Sequence, residues 1–278
     1  MAQTIKLKRR KEALMAKTIY DKPTRALLKD MLVSWNLQPG QVFTAARAIQ
    51  WFATNYPKLK PGSIRAHLVQ AATNDPSRLH HPSTNITDDI LFKVAPGEFR
   101  RYEAGKDPAP IREMVKGDIA KQEIEDIDID RDGSEEINLP GSTEFLLEKD
   151  LQRYLAENLG CIEPGLKLYE DEDLRGIEYE AGGGRRIDIL AVDRNGAFVV
   201  IELKVSRGYD RVIGQLLRYM NWVRRDLAEL GQKVRGIIVC RSMSEDLRLA
   251  CSSMNDVELF EYKLSVAVTK VATLQLRE

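Results

Sequence analysis

Arg186-Ile-Asp-Ile-Leu-Ala-Val-Asp193 and, beyond Arg194-Asn-Gly196, Val199-Val-Ile-Glu-Leu-Lys-Val205 are two apolar runs of strand length. Each carries charge where a core strand should carry none: Asp188 in the first, Glu202 and Lys204 in the second. A buried, unpaired charge costs several kcal/mol, so all three need partners. Residues two apart on a strand share a face, which sets Glu202 beside Lys204. A three-residue loop with Gly196 left-handed pairs Asp193 with Ala197 and brings Asp188 and Glu202 to one face. A two-residue Asn-Gly turn would instead set Asp188 opposite Leu203, and no site would form. Two carboxylates beside a lysine suit a hard, oxygen-loving cation such as Mg²⁺, with the lysine left for a phosphate or a water.

The flanks narrow the reading. Upstream stands Glu148-Lys-Asp-Leu-Gln152, and downstream Gln215-Leu-Leu-Arg-Tyr219. With Asp188 and Glu202-Leu-Lys204 between them, the order resembles the D…(D/E)-x-K signature of the PD-(D/E)XK nucleases, and within it the catalytic domain of the NucS/EndoMS endonucleases. The resemblance covers residues 142 to 264. It implies a restriction-endonuclease-like αβββαβ core and hydrolysis of DNA phosphodiesters with Mg²⁺ or Mn²⁺. Asp188, Glu202 and the Leu203 carbonyl would hold the metal, and Glu148 would complete its outer shell. Lys204 would position or deprotonate a water, or pair with the phosphate. The Gln215 amide would face the pocket. Double-stranded DNA is the implied substrate, and a homodimer the implied assembly.

Around the motif, Ser142 or Thr143 caps a helix reaching about Leu159, and Leu166–Glu170 and Ile177–Glu180 supply strand material. Gly182-Gly-Gly184 reads as a hairpin tip, because neither a Gly-Lys-Ser/Thr sequence nor a helix follows it. Arg185 and Arg186 beside it either touch phosphates or point outward at a strand entry. A long amphipathic helix to Leu230 follows, then the strand Val234–Cys240, the helix Glu245–Ser253 and a closing strand Val257–Tyr262.

The front half differs. Helical spacing predicts helices from Pro23 to Trp35, through Ala46 to Tyr56, and from Ser63 as N-cap to about Thr73. Ile90–Val94 and Phe99–Tyr102 flank Ala95-Pro-Gly97 as a hairpin. Three helices and a hairpin resemble a winged helix, with the third helix as reader and the hairpin as wing. The expected DNA contacts are Arg65, His67 and Gln70 on that helix, and Arg100 and Arg101 on the wing. The NucS/EndoMS family has a β-rich DNA-binding and dimerising domain in this place. A nuclease of restriction, defence or repair that reads its target through another module is therefore the expectation.

Lys plus Arg against Asp plus Glu runs 18 to 9 over residues 1–108, 4 to 10 over 109–141 and 20 to 23 thereafter. That asymmetry predicts a phosphate-binding domain (1–108), an acidic linker (109–141) and a nuclease domain (142–278). Lys6–Lys11 is a basic arm, read as a solvated terminus or a backbone contact. Asp126 to Asp132 alternate like a calcium loop, but Arg131 stands where its glycine should be and Ile137 where its glutamate should be. All three histidines, His67, His80 and His81, lie in the front half, so the rear domain cannot run histidine-based hydrolysis. Cys161, Cys240 and Cys251 fit neither a disulfide framework nor a zinc site. With no apolar run near the length of a membrane span and no signal sequence, a cytoplasmic setting is expected. The rival is a non-catalytic DNA-binding regulator or scaffold on a degenerate nuclease fold; cleavage of RNA or branched DNA is a third reading.

Overall fold

The computed structural model describes residues 18–80, 89–112, 143–172, 174–204 and 209–264. The basic arm, His81 and nearly all of the acidic linker lie outside them.

The front domain begins with α1 (Thr24–Ser34), followed by β1 (Phe43–Thr44), α2 (Ala45–Asn55) and α3 (Pro61–Ala71). A 3₁₀ turn (Pro76–His80) leads to the hairpin strands β2 (Leu91–Ala95) and β3 (Glu98–Arg101). Thr44 caps α2 by accepting from the Arg47 amide, whereas α3 starts at Pro61 and not after Ser63. Proline suits a first helical turn, where its missing N–H is no loss. Strand β1, too short to show periodicity, pairs antiparallel with β3 to give a three-stranded sheet in the order β1-β3-β2. Leu27, Leu28 and Met31 of α1, Phe52 of α2, Ile64 and Leu68 of α3, and Leu91 and Phe99 of the hairpin close one core.

The rear domain opens with α4 (Thr143–Glu157) and the short strands β4 (Lys167–Leu168), β5 (Glu170–Asp171) and β6 (Leu174–Arg175). β7 (Ile177–Glu180), β8 (Arg186–Val192) and β9 (Phe198–Lys204) follow, antiparallel to one another in turn. α5 (Tyr209–Asp226), β10 (Val234–Cys240), α6 (Glu245–Cys251) and β11 (Val257–Glu261) come next, with β10 parallel to both β9 and β11. One face of this sheet packs Ile189, Ala191, Ile201 and Leu203 against Leu151 and Leu155 of α4. The other packs Leu190 and Val200 against Leu216, Met220 and Val223 of α5. The αβββαβ order is thus present, in a mixed α/β chain.

The two domains are fastened by charge. Helix α1 has no cap of its own, since Pro23 offers no side-chain acceptor. Glu172 of the rear domain supplies one, accepting from the Thr24 amide at 2.8 Å and the Thr24 hydroxyl at 3.0 Å. A carboxylate there satisfies orphan donors and meets the positive end of the helix. His67 Nε2 stands 3.5 Å from the same carboxylate. Asp75, fully buried, is held by Lys93 of its own domain at 2.9 Å and by Arg186 of the other at 3.1 Å. Gly62 completes the seam, because a Cβ there would lie 2.6 Å from Leu227 and 2.9 Å from Trp222.

Candidate active site

The ladder between β8 and β9 runs from Val192↔Phe198 to Ile189↔Ile201. The Asp193 amide bonds the Ala197 carbonyl at 3.0 Å, and Gly196 has φ +80°. This is the three-residue loop, so Asp188 stands opposite Glu202. At that point the strands part. In place of the next ladder bond, Asp188 Oδ2 accepts from the Leu203 amide at 2.8 Å.

The strand also turns over there. Ile187 packs in the α5-side core and Ile189 in the α4-side core, although residues two apart on a regular strand share a face. Across from them the neighbouring strand changes in step, because Tyr179 pairs with Ile187 and Ile177 with Ile189. Between Ile177 and Tyr179 lies Glu178 at φ +49°, a left-handed backbone rare for a residue with a side chain. Its carboxylate is gripped from α4 by Lys149 and by Gln152 Nε2 at 2.8 Å, and the same Gln152 amide donates to the Asp188 carbonyl at 3.0 Å. Helix α4 thereby fixes the kink that aims Asp188.

Glu202 is 1% exposed, and its Oε1 is buried without a hydrogen-bond partner. Burial pushes its carboxyl well up, helped by the Asp188 charge. Burial, then Glu148 and Glu178, push Asp188 up to about 7, against the pull of the Leu203 amide. Glu178 goes the other way: burial works against it, but Lys149, Arg186 and His80 hold it at about 2. On α5, Gln215 hydrogen-bonds Tyr219, whose hydroxyl is driven up by burial and by the Glu202 and Asp188 charges. Lys204, half-buried, is in no ion pair among the described residues.

Among the described residues no three His, Cys, Asp or Glu side chains close into a ready-made metal cage. Two carboxylates and a strand carbonyl are nevertheless a donor set suited to a hard cation. A buried orphan oxygen on Glu202, and two carboxyls pushed up by burial and by neighbouring acids, are what a bound cation would relieve. The residues fit a divalent ion held by Asp188, Glu202 and the Leu203 carbonyl.

Residues 147–261 match the family described as the endonuclease NucS C-terminal domain. This part of the chain is a NucS-like domain. Similar curated proteins are the endonuclease NucS of Methanopyrus kandleri, 36% identical over 104 residues (37% of this chain and 36% of that protein), and that of Kocuria rhizophila, 35% identical over 127 residues (43% and 51%). The chain thus spans between about a third and a half of the length of these relatives. A solved structure titled as an EndoMS complex with double-stranded DNA is 26% identical, with a TM-score of 0.35 over 48% of this chain and 51% of that one. Residues 23–101 match a family described only as a domain of unknown function.

Within the NucS-like domain, Glu148, Asp188 and Glu202 meet as electrostatic neighbours, and Gln215 joins them through Tyr219. Sequence reasoning missed Glu178, Lys149 and Gln152. A signal existed in the three-residue spacing of Lys149 and Gln152, which puts both on one helix face.

The expected DNA contacts fare differently. His67 and Gln70 are 1% and 3% exposed, not outward, because α3 packs its second face on the rear domain. Arg186 is taken by Asp75. Arg100 is held by Asp107 and stacks on Phe92, 4.4 Å from the ring centroid. Arg101 is half-buried on β3. Arg65 and Arg185 line one groove.

Proposed function

We propose that the protein is a divalent-metal-dependent DNA endonuclease acting in repair, restriction or defence. Its winged-helix-like front domain (1–108) is joined by an acidic linker (109–141) to the nuclease domain (142–278). The helix, strand, helix, helix, hairpin order of the front domain and its β1-β3-β2 sheet support the winged-helix reading. The observation that carries the nuclease reading is the parting of β8 and β9, which brings Asp188 and an unpartnered Glu202 oxygen together.

A bound Mg²⁺ or Mn²⁺ would supply an activated water and neutralise charge on the scissile phosphate. The chain supplies the rest. Asp188 and Glu202 offer the anionic oxygens, and Glu148 backs them. Lys204, free of a carboxylate partner among the described residues, holds the phosphate or the attacking water. Gln215 and Tyr219 wall the pocket on the α5 side. The buried surroundings strengthen each of these interactions.

Substituting Asp188 or Glu202 by Ala should abolish metal-dependent plasmid nicking and leave folding and DNA binding intact. Mg²⁺-dependent nicking retained by Asp188→Ala rejects the site assignment, and a wild type that binds DNA but never nicks it leaves a DNA-binding scaffold. Incubation with mismatched, methylated, branched and plain duplexes identifies the substrate. Two copies acting together would cut both strands, and sedimentation in the presence of DNA tests for them.

A further inference from the structure

The seam between the domains opens into a groove of about 580 Å³, lined by Arg65 of α3, the glycine turn with Arg185, and Arg218, Tyr219, Trp222 and Arg225 of α5. It adjoins the candidate active site, since Tyr219 borders the groove and also senses the charges of Glu202 and Asp188. Its side chains are mostly donors. Arginine and tryptophan donate hydrogen bonds and accept none, only Tyr219 and Asn221 can also accept, and among the described residues no carboxylate lines the groove. Arg225 reaches a neighbouring acid, Asp226, at 2.6 Å while staying largely exposed.

Two buried donors in the wall have no hydrogen-bond partner: Nε of Arg65 and Nε1 of Trp222, the latter in a side chain 7% exposed. Buried polar groups are satisfied in the great majority of cases, so two orphan donors in the wall of one basic groove call for an acceptor. The turn that forms the opposite wall comes close because it is glycine: a Cβ on Gly182, at φ +87°, would lie 3.3 Å from Trp222 Nε1.

We infer that this groove binds a phosphate of the nucleic-acid strand next to the bond that is cut, gripped jointly by both domains. The inference rests on the nuclease reading for the identity of the strand, and it adds a substrate-binding role for the domain of unknown function. A planar guanidinium from Arg65, delivered across the domain boundary, makes the strand itself a clamp that holds α3 against α5.

The test is fluorescence anisotropy of a short labelled duplex in EDTA, over a series of salt concentrations, on the whole chain. Arg65→Gln and Arg218→Gln should each weaken binding about tenfold and lower the slope of log affinity against log salt by about 0.9 for each phosphate no longer neutralised. Arg65→Lys should keep most of the slope, and unchanged melting temperatures would show that the variants fold. Slopes unchanged in both Gln variants overturn the inference. So does stabilisation by inorganic phosphate or AMP that depends on Arg65 while duplex binding does not, because the groove would then serve a free small anion. Plasmid nicking by the wild type is read separately: failure of the nuclease reading would show as no metal-dependent nicking, with the anisotropy result still standing.

Discussion

Asp188 Oδ2 accepts the Leu203 amide at 2.8 Å, where a backbone carbonyl of the neighbouring strand would otherwise stand. The bond fixes the carboxylate at the fork between β8 and β9, close enough to Glu202 for its charge to raise that carboxyl. A site residue is here also the cap of a broken ladder, which links catalysis to the strand register.

The metal-free protein should lose stability as pH rises from about 4 to about 7. Asp188 is raised in the folded state from an ordinary 3.8 to about 7, so in that window the native state holds a proton that the unfolded chain has released. The slope ∂ΔG/∂pH is then negative; the Asp188 part of it ends near pH 7, and Glu202, whose carboxyl is also pushed well up by burial, adds to it with the same sign. Thermal melts in EDTA measure it. Asp188→Asn should make the slope shallower, and Mg²⁺ or Mn²⁺ should stabilise the wild type more at about pH 8 than at about pH 5, because a cation binds the ionised carboxylate.

Asp75→Ala should destabilise the chain by about 3–5 kcal/mol in urea unfolding, because the buried carboxylate that Arg186 and Lys93 both reach would be gone. The double variant Asp75→Ala/Arg186→Met should recover much of that stability. The acid side has the opposite sign to Asp188. Although burial opposes it, Arg186 and Lys93 hold the Asp75 carboxyl below the usual range, so its stabilisation is present above about pH 4 and fades as pH falls further.

Gly176→Ala should cost about 1–3 kcal/mol or more. A Cβ there would lie 2.0 Å from the Leu190 carbonyl oxygen, a backbone atom that cannot swing aside. The Gly176 carbonyl also accepts from the Leu190 amide at 2.8 Å, so any retreat breaks the attachment of β8 to its neighbour. A lower denaturation midpoint checks this.

Gln215→Ala and Tyr219→Phe should slow single-turnover cleavage by about tenfold to a hundredfold, the range expected for a polar group that orients reacting parts. Duplex affinity in EDTA should hardly move in Gln215→Ala; Tyr219 also lines the arginine groove, so the Gln215 variant is the one that separates rate from affinity. Equal falls in affinity and rate in Gln215→Ala would assign that residue to binding and remove it from the reacting centre.

The two strands and their period of two were legible because they depend on neighbours. The loop was not: Arg194-Asn-Gly196 allows a two- or a three-residue turn, and the Asp193–Ala197 bond with Gly196 at φ +80° is what sets Asp188 opposite Glu202. The helices of both domains were legible for the same reason, through their apolar spacing. The start of α3 was misplaced by three residues, because Ser63 looks like a cap while Pro61 fills the first turn.

What the sequence by itself determined is the set of charges in the second domain and a choice of two loop lengths, one of which brings Asp188 and Glu202 together. Only the tertiary structure decided which of the remaining charges are left for a ligand. Arg186 is neutralised by Asp75 from 111 residues away, and α1 is capped by Glu172 from 148 residues away. His67 and Gln70 look solvent-facing on their own helix, yet lie under the other domain. The physical reason is that secondary structure follows from local spacing, whereas burial and ion pairing follow from which surfaces meet, and no local pattern records the meeting of two domains.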